Sequence, residues 1–409
     1  MEEKKYRKSN LVEMNIILNK YIFFPSLKIK GYIDLIPKIK IKVNNEQKII
    51  FKLTQFKKCE YQSEKNGKIE NHSESSEDLI KSKELYIHLK DNYLSQKIKI
   101  NFNFLLPGDE KQNFYPTFEY RKKDVNIFIR HLLTIEIPDI EVKNSIGVII
   151  CKLPEKKDNL KKEDLNIFKD KKINIAFGIF KKGRLPYEIK IEKLSYSLDE
   201  EIPLKLKIMP KDLKDIEIDS IDIILKKQIA IKGSNYGIST HLREENYNIY
   251  EKKYIGLSVK KDFLEFKEIL KAHRYDIPDF TDREIERYSK FDLDFIERDD
   301  QRMQINPSIN IDQFMCQYKV EIKFKFNSFF KSDIIENFII DMYTMKPSSN
   351  DEDELKHLFS GDENPYFDSQ IFTKKEEDNS DNDTDFVVLE NKDFYKILNG
   401  EENNNNSNK

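Results

Sequence analysis

The chain states one phrase twice, and the phrase constrains it to β structure. Tyr21 to Leu35 and Leu194 to Ile208 align at a shift of 173 positions, laying Phe23 on Tyr196, Ile29 on Ile202, Ile33 on Leu206 and Leu35 on Ile208. Each copy opens on an aromatic residue and a turn, then places an apolar side chain at every second position. Side chains of a strand alternate between its two faces, so this spacing buries one face and wets the other. Two copies separated by an ordinary domain length imply one all-β module present twice.

Composition narrows the class. The chain has 409 residues, 38% hydrophobic and 12% aromatic, enough for real cores, while a charged fraction of 35% and a mean hydropathy of -0.69 describe a strongly wetted surface. No run approaches the ~18–20 apolar residues needed to cross a bilayer. Charges at the N-terminus are not followed by an apolar stretch, so no signal peptide is expected. Glu2 stands where myristoylation needs glycine, and the C-terminus lacks a prenylation cysteine. Cys59, Cys151 and Cys316 are odd in number, far apart and set in apolar runs. They read as buried hydrophobes of a reducing, cytoplasmic compartment rather than as disulfides or a zinc site.

Charge is unevenly distributed. Residues 347–409 carry 17 acidic against 6 basic side chains, a net of -11, which leaves +9 on residues 1–346 of a chain whose total is -2. Such asymmetry favours folding of the tail onto the body, or competition between the tail and an anionic partner.

Alternating runs follow at 15–22, 27–36, 39–43 and 47–59, then at 84–88 and 96–106. A long run at 124–138 places Val125, Ile127 and Ile129 before Leu133, Ile135 and Ile137, with an expected bulge or bend near Arg130. The polar stretch 61–83 reads as a loop insertion. A second polar stretch, 152–172, holds a candidate short helix over 162–170. Strands resume at 173–180, 187–194, 202–209 and 216–230, with further strands around 254–259 and then a short element over 263–270. Segment 279–290 is ambiguous between helix and loop, 291–296 alternates, and 315–326 and 334–343 close the pattern. The 315–326 run turns Tyr318, Val320, Ile322, Phe324 and Phe326 to one face and Lys and Glu to the other, as an antiparallel strand with one wet side does. Many short alternating strands with few helices predict β-sandwiches.

These residues resemble the arrestin superfamily, and more closely its arrestin-domain-containing (alpha-arrestin) branch. The aromatic-x-Pro opening of that family's first domain is matched by Phe23, Pro25, Ile29, Gly31, Ile33 and Leu35, with Ser26 and Leu27 replacing its Gly-Glu. Phe102-x-Phe104 with Leu106-Pro107, the turn Pro116 to Phe118, and Tyr196 with Glu200 and Ile202 follow in the family's order, over about residues 15–345. The acidic tail, from Asp381 through Phe386, Val388, Asp393 and Phe394, resembles the tail of visual and beta-arrestins, which docks as a strand on the first domain and on release presents Phe side chains to the clathrin adaptor.

The resemblance implies two tandem immunoglobulin-like (arrestin-type) sandwiches, over 10–152 and 173–346, with an acidic, mostly disordered tail at 347–409. It implies a non-enzymatic cytoplasmic adaptor, recruited to plasma membrane or endosomes, that binds receptors or cytoplasmic tails of membrane proteins and links them to endocytosis, sorting or signalling. A retromer-type coat subunit of endosomal transport shares the fold and is the alternative. Lys181, Lys182 and Arg184 are the candidate surface for phosphorylated or anionic-lipid partners, and Phe386, Val388, Asp393 and Phe394 for clathrin or adaptor proteins. Pro-Pro-x-Tyr ligase motifs are missing, since Leu185-Pro186-Tyr187 and Asn364-Pro365-Tyr366 lack the first proline. No glycine-rich phosphate loop occurs, and His131 and His241 have no partner at metal-ligand spacing. No catalytic residue, cofactor, metal or nucleic-acid partner is therefore expected.

Overall fold

The computed structural model describes residues 11–89, 92–108, 111–122, 124–153, 165–174, 182–209, 218–235, 238–257, 264–271, 304–326, 333–360 and 388–390. Strands dominate them. In the first half, β1 (Val12–Leu18), β3 (Lys28–Pro37) and β8 (Ile98–Leu105) form one sheet in the order β1–β3–β8. A larger sheet runs β2 (Ile22–Phe23), β11 (Val142–Ile150), β10 (Val125–Ile137), β5 (Glu46–Lys65), β6 (Lys68–His88) and β22 (Val388–Glu390), with β9 (Phe118–Lys122) also on β10. A small pair, β4 (Ile41–Lys42) and β7 (Tyr93–Leu94), lies apart.

The second half repeats this plan. One sheet runs β12 (Leu165–Asn174), β13 (Lys182–Ile191), β15 (Ile202–Ile208) and β18 (Leu264–Leu270). The other runs β14 (Ser195–Ser197), β21 (Ile334–Tyr343), β20 (Phe314–Phe326), β16 (Ile218–Asn235) and β17 (Ile238–Leu257), with β19 (Ile309–Asn310) on β20. The repeated phrase occupies equivalent places. Phe23 of β2 pairs in parallel with Ile150 of β11, as Tyr196 of β14 does with Met342 of β21. The alternating stretch that follows is β3 in one half and β15 in the other, each the strand between two antiparallel neighbours. Gly31 in β3 has a steric reason: a Cβ there would lie 2.3 Å from the carbonyl oxygen of Ile17 on β1.

Two expectations of segment type are corrected. Segment 61–83 is not a loop but the outer part of the β5–β6 hairpin, paired from Glu46↔His88 to Lys65↔Lys68 with one register shift between Leu53 and Thr54. Its turn is Asn66-Gly67, with φ of 55° and 73°. Asn-Gly accepts left-handed backbone at both central positions, which matches the twist of a hairpin. The segment is polar because most of its side chains face water. Of the candidate helix over 162–170, residues 162–164 lie outside the described residues, and 165–170 belong instead to the edge strand β12, paired with β13 from Leu165↔Ile191 to Asn174↔Lys182; Ile167 beside the Ile189 row supplies β-branched packing that outweighs local helix preference. The 279–290 and 291–296 readings lie outside the described residues. Within the tail range, Ser349–Ser360 forms the helix α1. Ser348 caps it, with Oγ donating to Asp351 Oδ2 at 2.8 Å and accepting from the Asp351 amide at 3.3 Å.

Strand β10 organises the interior. It pairs with β5 without a break from Val125↔Tyr61 to Glu136↔Ile50, so the expected bulge near Arg130 is not there. The apparent interruption is His131, which holds an inward position in the same odd-numbered row and is 1% exposed. On one side of it, Leu133, Ile135 and Ile137 join the core between the first half's sheets, where the Phe51 and Phe102 rings lie 5.1 Å apart. On the other side, Val125, Ile127 and Ile129 join the second half's core, where Phe118 meets Phe314 at 4.8 Å. A third, smaller cluster gathers Phe24, Leu27, Ile149 and Cys151 with Ile305 and Leu355 of α1. All three cysteines are buried, and none forms a disulfide; burial pushes the Cys59 thiol up to about 12.

His131 is buried without charge. Gln55 Oε1 already accepts the Tyr115 amide (2.9 Å), so His131 Nε2 donates to it at 3.2 Å. Nδ1 then accepts from Thr117 Oγ1 at 3.2 Å, and that hydroxyl accepts from the Ile150 amide at 2.9 Å. Burial drives the imidazole pKa down to about 3. Because the folded pKa lies below the unfolded one, the resulting stability is complete above ~6.5 and is lost as pH falls towards 3. Relative to His131→Gln, the parent should lose roughly 2 kcal/mol between pH 7 and 5 in urea titrations; parallel pH profiles would contradict a neutral, buried imidazole. Gly31→Ala should lower the urea-derived stability by about 1–3 kcal/mol, and an unchanged midpoint would refute the tight β1–β3 approach.

Candidate functional site

The residues singled out in the sequence fall in two places. Lys182 and Arg184 begin β13, opposite Asn174 and Lys172 of β12, in the second half's four-stranded sheet. Val388 opens β22 and pairs with His88, followed by Leu389 with Ile87 and Glu390 with Tyr86, all antiparallel and in the first half's large sheet. Lys181, Phe386, Asp393 and Phe394 lie outside the described residues. The basic positions and the tail strand thus belong to different sheets.

The tail strand has a physical reason to sit where it does. An edge strand presents unpaired N–H and C=O groups to any extended segment that reaches it. β6 takes β5 along one edge, with Glu46 to Lys48 opposite His88 to Tyr86, and β22 along the other. Leu85 and Ile87 face the core at 2% and 1% exposure, so this end of β6 is held rigidly.

A polar cluster between the halves went unnoticed in the sequence. Arg243, Glu245 and Tyr247 stand at alternate positions of β17 and meet Tyr120, Lys122 and Asp124 of the β9–β10 hairpin. Tyr120 and Tyr247 both donate to Glu245 Oε2, the former at 2.6 Å, and Lys122 Nζ lies 3.0 Å from the same oxygen. Arg243 donates to Glu245 Oε1 at 2.8 Å, to Asp124 Oδ2 at 2.6 Å and to the Gln62 carbonyl at 2.9 Å. Burial alone would raise the Glu245 pKa, but hydrogen bonds from Tyr120, Lys122 and Arg243 outweigh it and hold the carboxyl below its ordinary value. The Asp124 pKa is lowered, chiefly by the Arg243 hydrogen bond. Burial and the Glu245 carboxylate push the Tyr120 hydroxyl well above its usual value. Its signal in the sequence was faint: period-two spacing of polar, not apolar, residues on a strand.

Further contacts close the junction. Glu119 of β9 exchanges backbone hydrogen bonds with Ile305 (2.8 and 3.1 Å). Lys20 pairs with Asp351 of α1, and Lys152 with Asp341 of β21. A cleft with an empty volume of ≈190 Å³ lies between Lys57–Cys59, Glu74–Ser76 and Gln313–Phe314, smaller than the ~300 Å³ at which small-molecule pockets begin. Among the described residues no group of three or more His, Cys, Asp and Glu is placed to hold a metal ion, and no helix is long and apolar enough to cross a membrane. What the described geometry offers is strand edges, sheet faces and a polar clasp.

A scan against protein-family models finds no match, and no curated protein matches the sequence significantly.

The clasp makes a measurable prediction. A double-mutant cycle of Tyr120→Phe and Glu245→Gln, followed by thermal unfolding, should give a coupling of about 0.5–3 kcal/mol. Strictly additive losses would contradict the hydrogen bond between the halves.

Proposed function

We propose that this chain is a non-enzymatic, arrestin-like adaptor of two tandem immunoglobulin-like sandwiches, which captures an extended segment from the cytoplasmic part of a membrane protein and links it to endocytosis, sorting or signalling. The observation that carries this reading is the pairing of Val388–Glu390 with Tyr86–His88. An edge that accepts a strand of its own tail is chemically equipped to accept one from a partner, with main-chain hydrogen bonds giving affinity and alternate side chains giving selectivity. The recurrence of one strand order in both halves and the arrestin-like phrases at Phe23 and Tyr196 also support it. The tail is then a tethered competitor, and a partner must displace it.

Removing residues 380–398 from the full chain should raise affinity for cytoplasmic-tail peptides by about tenfold or more in titration calorimetry. Equal affinity with and without the segment would sink the competitor role. Purification of the tagged chain from cells separates adaptor from coat: membrane receptors at low stoichiometry support the adaptor, and equimolar coat subunits contradict it.

A further inference from the structure

Strand β21 is half-used. β20 takes one side of it, from Ile334↔Phe324 to Ile340↔Tyr318. On the other side β14 pairs only with Asp341 to Tyr343, so among the described residues Ile334 to Ile340 have no partner strand there. The Asp341 amide donates to the Leu194 carbonyl at 2.8 Å, and the Tyr343 carbonyl accepts from the Leu198 amide at 3.0 Å, both on the β14 side. Main-chain groups alternate in direction along a strand. Ile335, Asn337 and Ile339 therefore aim their N–H and C=O groups at the open edge.

The same three residues turn their side chains to water, while Glu336 and Phe338 turn inward. Ile339 is 62% exposed and Ile335 is 44% exposed. An open edge that bears apolar side chains invites another strand, and a lysine at the edge is a common guard against it. The other copy of the module has that guard. The matching pairs Phe23↔Ile150 and Tyr196↔Met342 set Ile335, Asn337 and Ile339 against Lys143, Ser145 and Gly147 of β11. The edge is also nearly a palindrome: Ile334-Ile335-Glu336-Asn337-Phe338-Ile339-Ile340 places isoleucine at matching distances on both sides of Asn337.

We propose that β21 is the seam of a homodimer, in which two copies of the chain meet edge to edge and antiparallel about a twofold axis at Asn337. In that register Ile335 lies opposite Ile339 of the second copy, and Asn337 lies opposite its own counterpart. Every such pair joins residues whose main-chain groups already point outward, so both hydrogen bonds of the pair form without a change of fold. Apolar side chains then meet across the seam, and cross-strand apolar pairs stabilise a sheet. A twofold contact needs a patch that complements itself. A palindromic edge meets that need, whereas an unrelated strand would place no such demand on the sequence. The seam lies in the second half and the β6 edge in the first, so the inference does not require the adaptor reading. A dimer of this kind also presents two β6 edges, which would let it hold a paired partner with avidity.

Sedimentation velocity of the full chain over a concentration series tests it. The mass should rise from one chain to two as concentration increases. Ile339→Lys should weaken dimerisation by about tenfold or more, and the position is exposed, so the variant keeps the fold. Combining Ile335→Glu with Ile339→Lys should restore the dimer in a salt-sensitive form, because a carboxylate then faces an ammonium on both sides of the axis. A chain that stays monomeric at every concentration would overturn the proposal. So would a dimer indifferent to Ile339→Lys, or a double variant that associates as weakly as the single one.

Discussion

The structure depends on a single strand that belongs to two cores. β10 sends Leu133, Ile135 and Ile137 into the first half and Val125, Ile127 and Ile129 into the second, all from one face of one unbroken ladder. Each such side chain contributes ~1.5–3 kcal/mol through burial, so neither half can open without stripping part of this row. His131 marks the changeover. A polar residue at that point is tolerated because Gln55 and Thr117 satisfy both ring nitrogens, and an unsatisfied one would be far more costly than the bonds gain.

Around this strand the halves are joined by contacts of different kinds. Hydrophobic burial supplies most of the adhesion, through the Phe118–Phe314 contact and the small cluster under Leu355. The Tyr120–Glu245–Arg243 clasp adds direction, because Glu245 gathers donors from both halves in a half-shielded site. Backbone pairing of Glu119 with Ile305 sets the register. The β6 edge lies in the same sheet as β10, two strands away. Any segment that docks there therefore rests on the sheet that carries β10.

Much of this was legible in residue order. The phrases at Phe23 and Tyr196 occupy equivalent strands, and 334–343 and 315–326 appear nearly as read, because apolar alternation reports directly which face is buried. The polar hairpin at 61–83 was misread for the converse reason: with both faces wet it carries no alternation, and only Asn66-Gly67 announced the turn. β12 was misread as helix because Lys and Asp dominate a strand at a sheet edge. At Arg130 the sequence suggested a break, yet His131 keeps the inward parity; a buried polar residue imitates a register slip.

Sites were less legible than strands. The clasp is assembled from residues more than a hundred positions apart, and no local pattern joins Tyr120 to Glu245. Of the tail residues noticed in the sequence, Val388 is the one found in the described strand, where it meets His88.

Residue-resolved amide hydrogen exchange along β10 tests the central claim most directly. If one strand ties two cores into a single cooperative unit, amides from Val125 to Arg130 and from His131 to Ile137 will exchange with one common opening free energy. Two distinct opening energies with a step at His131 would contradict it.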